Sequence, residues 1–189
     1  MYPSLRKFIS NFVSLTNTEL DEIEKHFEPL QLKHGEYWVK EGKIGRHLGF
    51  ILSGYMRKYI LTDVGEETIH ISPPGEFIIP FYSFFSQKPS PENLQAITDC
   101  ELLILPYPAL ENLYSQNPKM ERVGRLVVQY HLLLKEGRVI SFVQQSAEER
   151  FDELMKSHSD YFQHVPLQHI ASYLGMTPET LSRIRSRKK

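Results

Sequence analysis

The chain has 189 residues, of which 41% are hydrophobic and one is a cysteine, and its formal net charge is −1. This size allows one large or two small packed domains, and the single cysteine excludes an internal disulfide framework and a four-cysteine iron–sulfur cluster. There is no run of about 18 apolar residues and no secretory hydrophobic segment, so we expect a soluble, cytoplasmic protein with no membrane partner. The charge is uneven, because residues 119–189 carry 12 Lys and Arg against 8 Asp and Glu, a balance of +4.

The spacing of apolar residues changes twice within the first two thirds of the sequence. Residues 1–28 show helical spacing of apolar side chains, and Pro29 ends that pattern. Residues 30–105 contain short strand-like runs separated by glycine turns, which predict a small antiparallel roll or barrel. Residues 106–115 then predict a short helix, and Cys100 lies in an apolar run that predicts a buried side chain.

Residues 120–142 predict one long helix that is apolar on more than one side. One set of apolar residues follows spacings of three and four, and a second set recurs every seven residues. We therefore predict that the helix packs on its own roll and on a second subunit. An ordinary core helix is the alternative reading. The candidate dimerisation residues are Val123, Leu126, Val127, Tyr130, Leu133 and Leu134.

The C-terminal segment has the spacing of a helix-turn-helix motif. Residues 146–149 form a capping-box pattern that starts one helix, and Gly175 suits the end of a later one. Thr177 and Pro178 are suited to the N-cap and first position of a second helix, whose apolar face carries Leu181 and Ile184. The opposite face of this second helix is polar and basic, as DNA recognition in the major groove requires.

The side chains of the polar face can bind both bases and phosphates of DNA. Arg183 can donate to guanine, Glu179 can accept from cytosine, and the other cations and hydroxyls suit phosphates. A solvated basic tail with an intrahelical pair between Glu179 and Arg183 is the alternative. The candidate DNA-binding residues are Thr177, Glu179, Thr180, Ser182, Arg183, Ser186, Arg187 and Lys188.

The order of these parts resembles the Crp/Fnr family of bacterial transcription regulators. The resemblance rests on residues 48–54, 64–67, 74–77 and 171–185. It implies an α+β fold: a cyclic-nucleotide-binding-like antiparallel β-roll with flanking helices, a long dimerisation helix and a C-terminal helix-turn-helix. The boundaries we expect are 1–118, 119–145 and 146–189. The resemblance further implies a homodimer, a two-fold-symmetric double-stranded DNA operator and RNA polymerase as partners. We expect the family's wing, which would follow the last helix, to be short or absent.

The roll departs from the cyclic-AMP-binding members of that family. Their phosphate cassette contains an arginine, whereas no arginine occurs here between Arg57 and Arg122. We therefore expect no response to cyclic AMP. The aromatic run at 81–85 is expected to fill the ancestral pocket, with an apolar-effector pocket as the alternative. The candidate effector-pocket residues are Phe77, Ile79, Phe81, Tyr82 and Lys88.

Two other functions fit a roll of this size. A small-molecule sensor could use the roll pocket together with DNA binding. A cupin-like metal enzyme would need clustered His and Glu ligands, but His34, His47 and His70 are well separated and form no H-x-H pair. We therefore predict no catalytic activity, no metal and no cofactor.

Overall fold

The computed structural model describes residues 1–188. Lys189, the last residue of the predicted DNA-binding segment, lies outside the described residues. The strands are β1 (Glu28–Leu32), β2 (Tyr37–Val39), β3 (His47–Ser53), β4 (Met56–Thr62), β5 (Gly65–Ser72), β6 (Phe77–Ile78), β7 (Asn93–Ala96) and β8 (Cys100–Pro106). The helices are α1 (Pro3–Ser10), α2 (Asn17–Glu24), α3 (Phe81–Ser86), α4 (Tyr107–Gln116), α5 (Pro118–Gln144), α6 (Ala147–Ser157), α7 (Tyr161–His164), α8 (Leu167–Tyr173) and α9 (Pro178–Arg187).

The strands form a roll of two four-stranded antiparallel sheets, in the orders β1-β8-β3-β6 and β2-β7-β4-β5. The core of the roll consists of apolar side chains such as Ile51, Met56 and Leu102, and it also buries Cys100. The turn before β4 requires glycine at position 54, where φ is +84° and a Cβ would lie 2.6 Å from the Cys100 sulfur. The α+β fold and the buried cysteine predicted from the sequence are confirmed.

Helices α1, α2 and α4 cover one side of the roll together with the first half of α5. Thr16 and Glu19 form a capping box at the start of α2, and Arg6 ties α1 to α2 through a 2.7 Å pair with Glu24. Val123 and Val127 of α5 are buried in the same apolar cluster as these helices. The N-terminal half of the long helix is therefore part of the core of its own protomer.

The C-terminal half of α5 leaves a large part of its apolar surface exposed. Leu133 is 71% exposed and Val143 is 81% exposed. No helix among residues 1–188 is both long and apolar enough to cross a membrane. The exposed large apolar side chains of α5 are Val128, Leu132, Leu133, Leu134, Val139, Ile140, Phe142 and Val143.

Helices α6 to α9 form a helical unit packed around one apolar cluster. Ser146 caps α6, with its side chain accepting from the Glu149 amide, and Glu149 accepts from the Ser146 amide in return. Phe151 of α6 packs in one cluster with Ala171, Leu181 and residues of the adjoining helices. Tyr55, Ile71 and Ile97 of the roll belong to the same cluster, so the helical unit lies directly against the roll.

Candidate functional site

The turn between α8 and α9 is a Schellman motif. Gly175 adopts φ +65°, and its N–H donates to the Ser172 carbonyl at 3.0 Å. The Met176 N–H reaches back to the Ala171 carbonyl at 3.0 Å. These two hydrogen bonds satisfy carbonyls that the end of a helix leaves free. They also turn the chain sharply enough to start a second helix at once.

Helix α9 begins as its sequence predicts and has one buried face. The Thr177 hydroxyl accepts from the Thr180 amide at 3.3 Å, and Pro178 occupies the first helical position. Leu181 and Ile184 are buried. Of the eight candidate DNA-binding residues, Thr180 is half-buried, and the other seven are exposed. These are Thr177, Glu179, Ser182, Arg183, Ser186, Arg187 and Lys188.

Two of the exposed cations pair with carboxylates of α6. Arg187 lies 3.2 Å from Glu148, and the Lys188 ammonium contacts Asp152. These pairs are exposed, so each contributes little to stability and leaves the cations free to exchange partners. The basic end of the chain is therefore less positive than the local sequence suggests. Sequence reasoning missed the pairing, because the partners are more than 30 residues apart.

A hydrogen-bonded contact joins the helical unit to strands β4 and β5. Arg57 of β4 donates to His169 Nδ1 at 3.0 Å, and the Thr68 amide donates to the Ser172 hydroxyl at 2.8 Å. The Tyr161 hydroxyl donates to the Ile71 carbonyl at 3.0 Å. Burial, and then the nearby Arg57 charge, lower the pKa of His169 to about 4, so its ring is neutral at pH 7 and can accept. The helix-turn-helix is thus held in one orientation on the roll.

A cavity of about 340 Å³ lies where the roll, the long helix and the helical unit meet. It is lined from the roll by Lys58 and His70, from α5 by His131 and Arg138, and from the helical unit by Tyr173 among others. Lys58 is fully buried, which lowers the pKa of its ammonium. It donates to the Ile79 carbonyl at 2.6 Å and lies 3.3 Å from Glu92.

The cavity contains three of the five candidate effector-pocket residues: Phe77, Ile79 and Phe81. Tyr82 and Lys88 are exposed and do not line it. The expectation that residues 81–85 fill the pocket is not met, because only one of the four rings, Phe84, is fully buried while the cavity stays open.

The cations of the cavity were missed by sequence reasoning. Lys58, Lys135 and Arg138 come from strand β4 and from the long helix. They share no motif, and Lys58 stands next to a second cation, Arg57, in β4, so the sequence carried no signal that singled these residues out.

The cassette region forms the short helix α3. Pro80 precedes the helix and has no N–H, and the Phe81 amide already donates to the Ile79 carbonyl at 2.9 Å. The Ser83 hydroxyl accepts from the Gly45 amide at 2.8 Å. The Phe81 amide and the Ser83 hydroxyl at the start of α3 are therefore used within the roll.

The candidate dimerisation residues divide between two environments. Val123 and Val127 are buried in their own protomer, and Tyr130 lines the cavity. Leu126 is half-buried, whereas Leu133 and Leu134 are exposed. The exposed members of this set are therefore the two that lie furthest along the helix.

The histidines of the roll do not form a metal site. His34 bonds to the Ile97 carbonyl at 2.5 Å, and burial lowers the pKa of His47. Among residues 1–188, no group of three or more His, Cys, Asp and Glu side chains could hold a metal ion.

Comparison with known proteins shows which proteins this chain is similar to. Residues 29–117 match the model of the cyclic nucleotide-binding domain. The fumarate and nitrate reduction regulatory protein of Vibrio cholerae is 24% identical over 186 residues, which is 92% of this chain and 74% of that protein. The transcriptional activator protein anr of Pseudomonas aeruginosa is 25% identical over 182 residues, 89% of this chain and 72% of that protein.

Solved structures share the fold along most of the chain. FixK2 from Bradyrhizobium japonicum superposes with a TM-score of 0.75 at 18% identity, covering 85% of this chain and 83% of its own. The c-di-GMP responsive global regulator CLP of Xanthomonas campestris gives a TM-score of 0.73 at 16% identity, covering 91% of both chains. With the roll, the long helix and the helix-turn-helix in this order, the chain contains a cyclic nucleotide-binding domain and is similar along most of its length to transcription regulators of the Crp/Fnr type.

Proposed function

We propose that this protein is a cytoplasmic transcription regulator that binds a two-fold-symmetric DNA operator as a homodimer. The observation that carries the proposal is helix α9. It is capped at Thr177, anchored by Leu181 and Ile184, and open to solvent on its polar face. A helix held in this way can enter the major groove with its side chains free for base edges. The regulators named among the relatives support the same role.

The exposed residues of α9 separate into two kinds of contact. Arg183 lies one turn after Glu179 and makes only a 3.3 Å contact with the Thr180 hydroxyl, so its guanidinium is available for a guanine. Arg187 and Lys188 lie at the end of the helix and suit phosphates. Phosphate binding would replace their exposed pairs with Glu148 and Asp152. RNA polymerase would be the further partner of such a regulator.

The dimer part of the proposal rests on the exposed apolar surface of α5. At about 100° per residue, Val128, Leu132, Val139 and Val143 project within one narrow stripe, and Leu133 and Ile140 lie beside it. Exposed apolar side chains that recur along one side of a long helix are typical of a subunit interface. A two-fold interface would place two α9 helices on one DNA face, as a symmetric operator requires.

Selection of bound sequences from a random DNA pool, followed by mobility-shift titration, tests the function. Arg183→Ala should cost about 1–3 kcal/mol on the selected site and relax preference at one base pair. Lys188→Ala should weaken binding to selected and random DNA alike and flatten its salt dependence. A selection that returns no enriched sequence, or equal effects of both variants on both DNAs, would mean that α9 does not read bases.

A second candidate function, sensing of a small molecule, is supported by the open cavity. Its walls include Tyr161 and Tyr173 of the helical unit together with Arg138 of the long helix. Arg138 also donates to the Thr68 carbonyl at 3.3 Å, beside the contact that holds the helix-turn-helix on the roll. A molecule bound in this cavity would therefore act on the orientation of the DNA-binding unit.

A further inference from the structure

The cavity between the roll and the long helix has a strongly cationic lining. Lys58, Lys135 and Arg138 face it, and Glu76 is the single carboxyl group among its described lining residues. Lys58 is balanced by Glu92, whereas neither Lys135 nor Arg138 lies within 4 Å of a carboxylate in residues 1–188. Burial raises the pKa of Glu76 to about 7, so this carboxyl cancels only part of the positive charge.

Two imidazoles in the same lining have unused hydrogen-bonding atoms. The Nε2 atoms of His70 and His131 are buried, and neither has a hydrogen-bond partner among the described residues. An unpaired buried polar atom destabilises the protein, and an incoming hydrogen-bond partner would recover that cost. Burial, followed by the charge of Lys58, lowers the pKa of both rings, so both are neutral at pH 7. A neutral ring with an Nε2–H can donate to an anion, and an anion would in turn favour the protonated ring.

The remaining lining is apolar and aromatic. Phe81 lies between two ammonium groups, with Lys58 at 5.4 Å and Lys135 at 5.0 Å from the ring centroid. Leu134 and Val139 extend the apolar wall along α5. A ligand that matches this lining has a charged head for the cations and imidazoles and an apolar body for the rest. Inorganic phosphate has the charged group but no apolar body.

We propose that the cavity binds a small organic carboxylate with an apolar body. The carboxylate accepts from His70 and His131 and lies near Lys135 and Arg138, while the body packs on Phe81 and its apolar neighbours. The ligand takes up a proton on binding, because the anion raises the affinity of the two imidazoles for protons. The inference rests on the sensing function proposed above and is independent of DNA binding.

Isothermal titration of the full chain without DNA tests the proposal. The probes are benzoate and octanoate as acids, benzamide as the neutral isostere of benzoate, and inorganic phosphate as the head alone. We expect benzoate or octanoate to bind with proton uptake, measured from the heats in two buffers of different ionisation enthalpy. Benzamide and phosphate should each bind at least about tenfold more weakly than the acids.

Variants separate this site from other sites on the surface. Lys135→Gln and Arg138→Gln should each reduce acid binding about tenfold, whereas Arg125→Gln, an exposed arginine on the same helix, should leave it unchanged. Circular dichroism monitors folding of each variant. The proposal fails if neither acid binds at millimolar concentration, if benzamide equals benzoate, or if cyclic AMP binds in their place. Failure of the DNA selection would leave this titration unaffected, so the two proposals can fail separately.

Discussion

The ring of Phe142, near the end of the long helix, packs directly on the backbone of Gly175 in the helix-turn-helix. A Cβ at position 175 would overlap Cε1 of the ring and lie 3.1 Å from Cζ. The guanidiniums of Arg138 and Arg150 lie 4.7 and 4.8 Å from the centre of the same ring. Arg150 of α6 also donates to the Leu174 carbonyl at 2.9 Å, so the turn is held to the long helix by packing and to α6 by a hydrogen bond.

Gly175→Ala is therefore expected to destabilise the helical unit. The change places a side chain in the left-handed region at φ +65° and against the Phe142 ring, and we expect a cost of about 1–3 kcal/mol. Urea unfolding measures the loss. Gly137→Ala is the matched control, since nothing lies within 4 Å of its Cβ position in α5, and it should stabilise the protein by up to about 1 kcal/mol. Equal effects of the two changes would contradict the packing.

The burial of His169, followed by the charge of Arg57 beside it, should make stability depend on pH. The pKa of His169 is lowered from 6.5 to about 4, so the unfolded chain binds more protons between these values. Stability from this group is thus complete above about pH 6.5 and is lost as the pH falls towards 4. His70 and His131 act in the same direction, and Glu76, whose pKa is raised to about 7, acts in the opposite one.

His169→Gln isolates the contribution of His169. Glutamine can accept from Arg57 at every pH, so the difference in unfolding free energy between the variant and the natural protein should change across pH 6.5 to 4 in favour of the variant. Chemical unfolding at several pH values provides the measurement. A difference that stays constant over this range would mean that His169 titrates normally.

Removing a carboxylate of α6 should strengthen DNA binding. Glu148 pairs with Arg187 at 3.2 Å, and DNA phosphates would compete for that cation. Because the pair is exposed, Glu148→Gln should gain up to about 1 kcal/mol in mobility-shift titrations. Glu153→Gln makes the same charge change on the same helix, where Glu153 accepts from Gln145. A comparable gain from this control would assign the effect to net charge alone.

Charged residues on the exposed apolar side of α5 should produce monomers. Leu133→Glu combined with Ile140→Glu would bury unpaired charges in the proposed interface, at a cost of several kcal/mol. Sedimentation velocity at micromolar concentration checks the state of assembly. Leu61→Glu is the control, because Leu61 is comparably exposed but lies on the roll. A natural protein that sediments as a monomer would refute the dimer.

Cyclic AMP and cyclic GMP are expected not to bind. Their phosphate needs charge-assisted partners, and the start of α3 offers neither an arginine nor a Pro80 amide. Titration calorimetry at millimolar nucleotide should show no heat and thermal melting no shift. A dissociation constant in the low micromolar range for either nucleotide would reverse this prediction. The variants Lys135→Gln and Arg138→Gln would then show whether cavity cations hold the phosphate.

The sequence by itself determined the features that depend on neighbours within a few residues. The Ser146 capping box, the glycine turn at 175 and the capped start of α9 follow from local hydrogen bonding and allowed φ. The spacing of apolar residues changes after Pro29, and this local change located the roll in the sequence. Because the order of these local elements is itself distinctive, the resemblance to the Crp/Fnr family followed from it.

Only the tertiary structure decided what depends on residues that are distant in the chain. The cavity joins Lys58, His70 and Arg138 from two strands and a helix, and no spacing in the sequence predicts that they meet. The pairing of Arg187 with Glu148 and the side of α5 left exposed were also settled by packing. Apolar periodicity predicts that a side chain is buried. Which residues bury it depends on how the elements pack together.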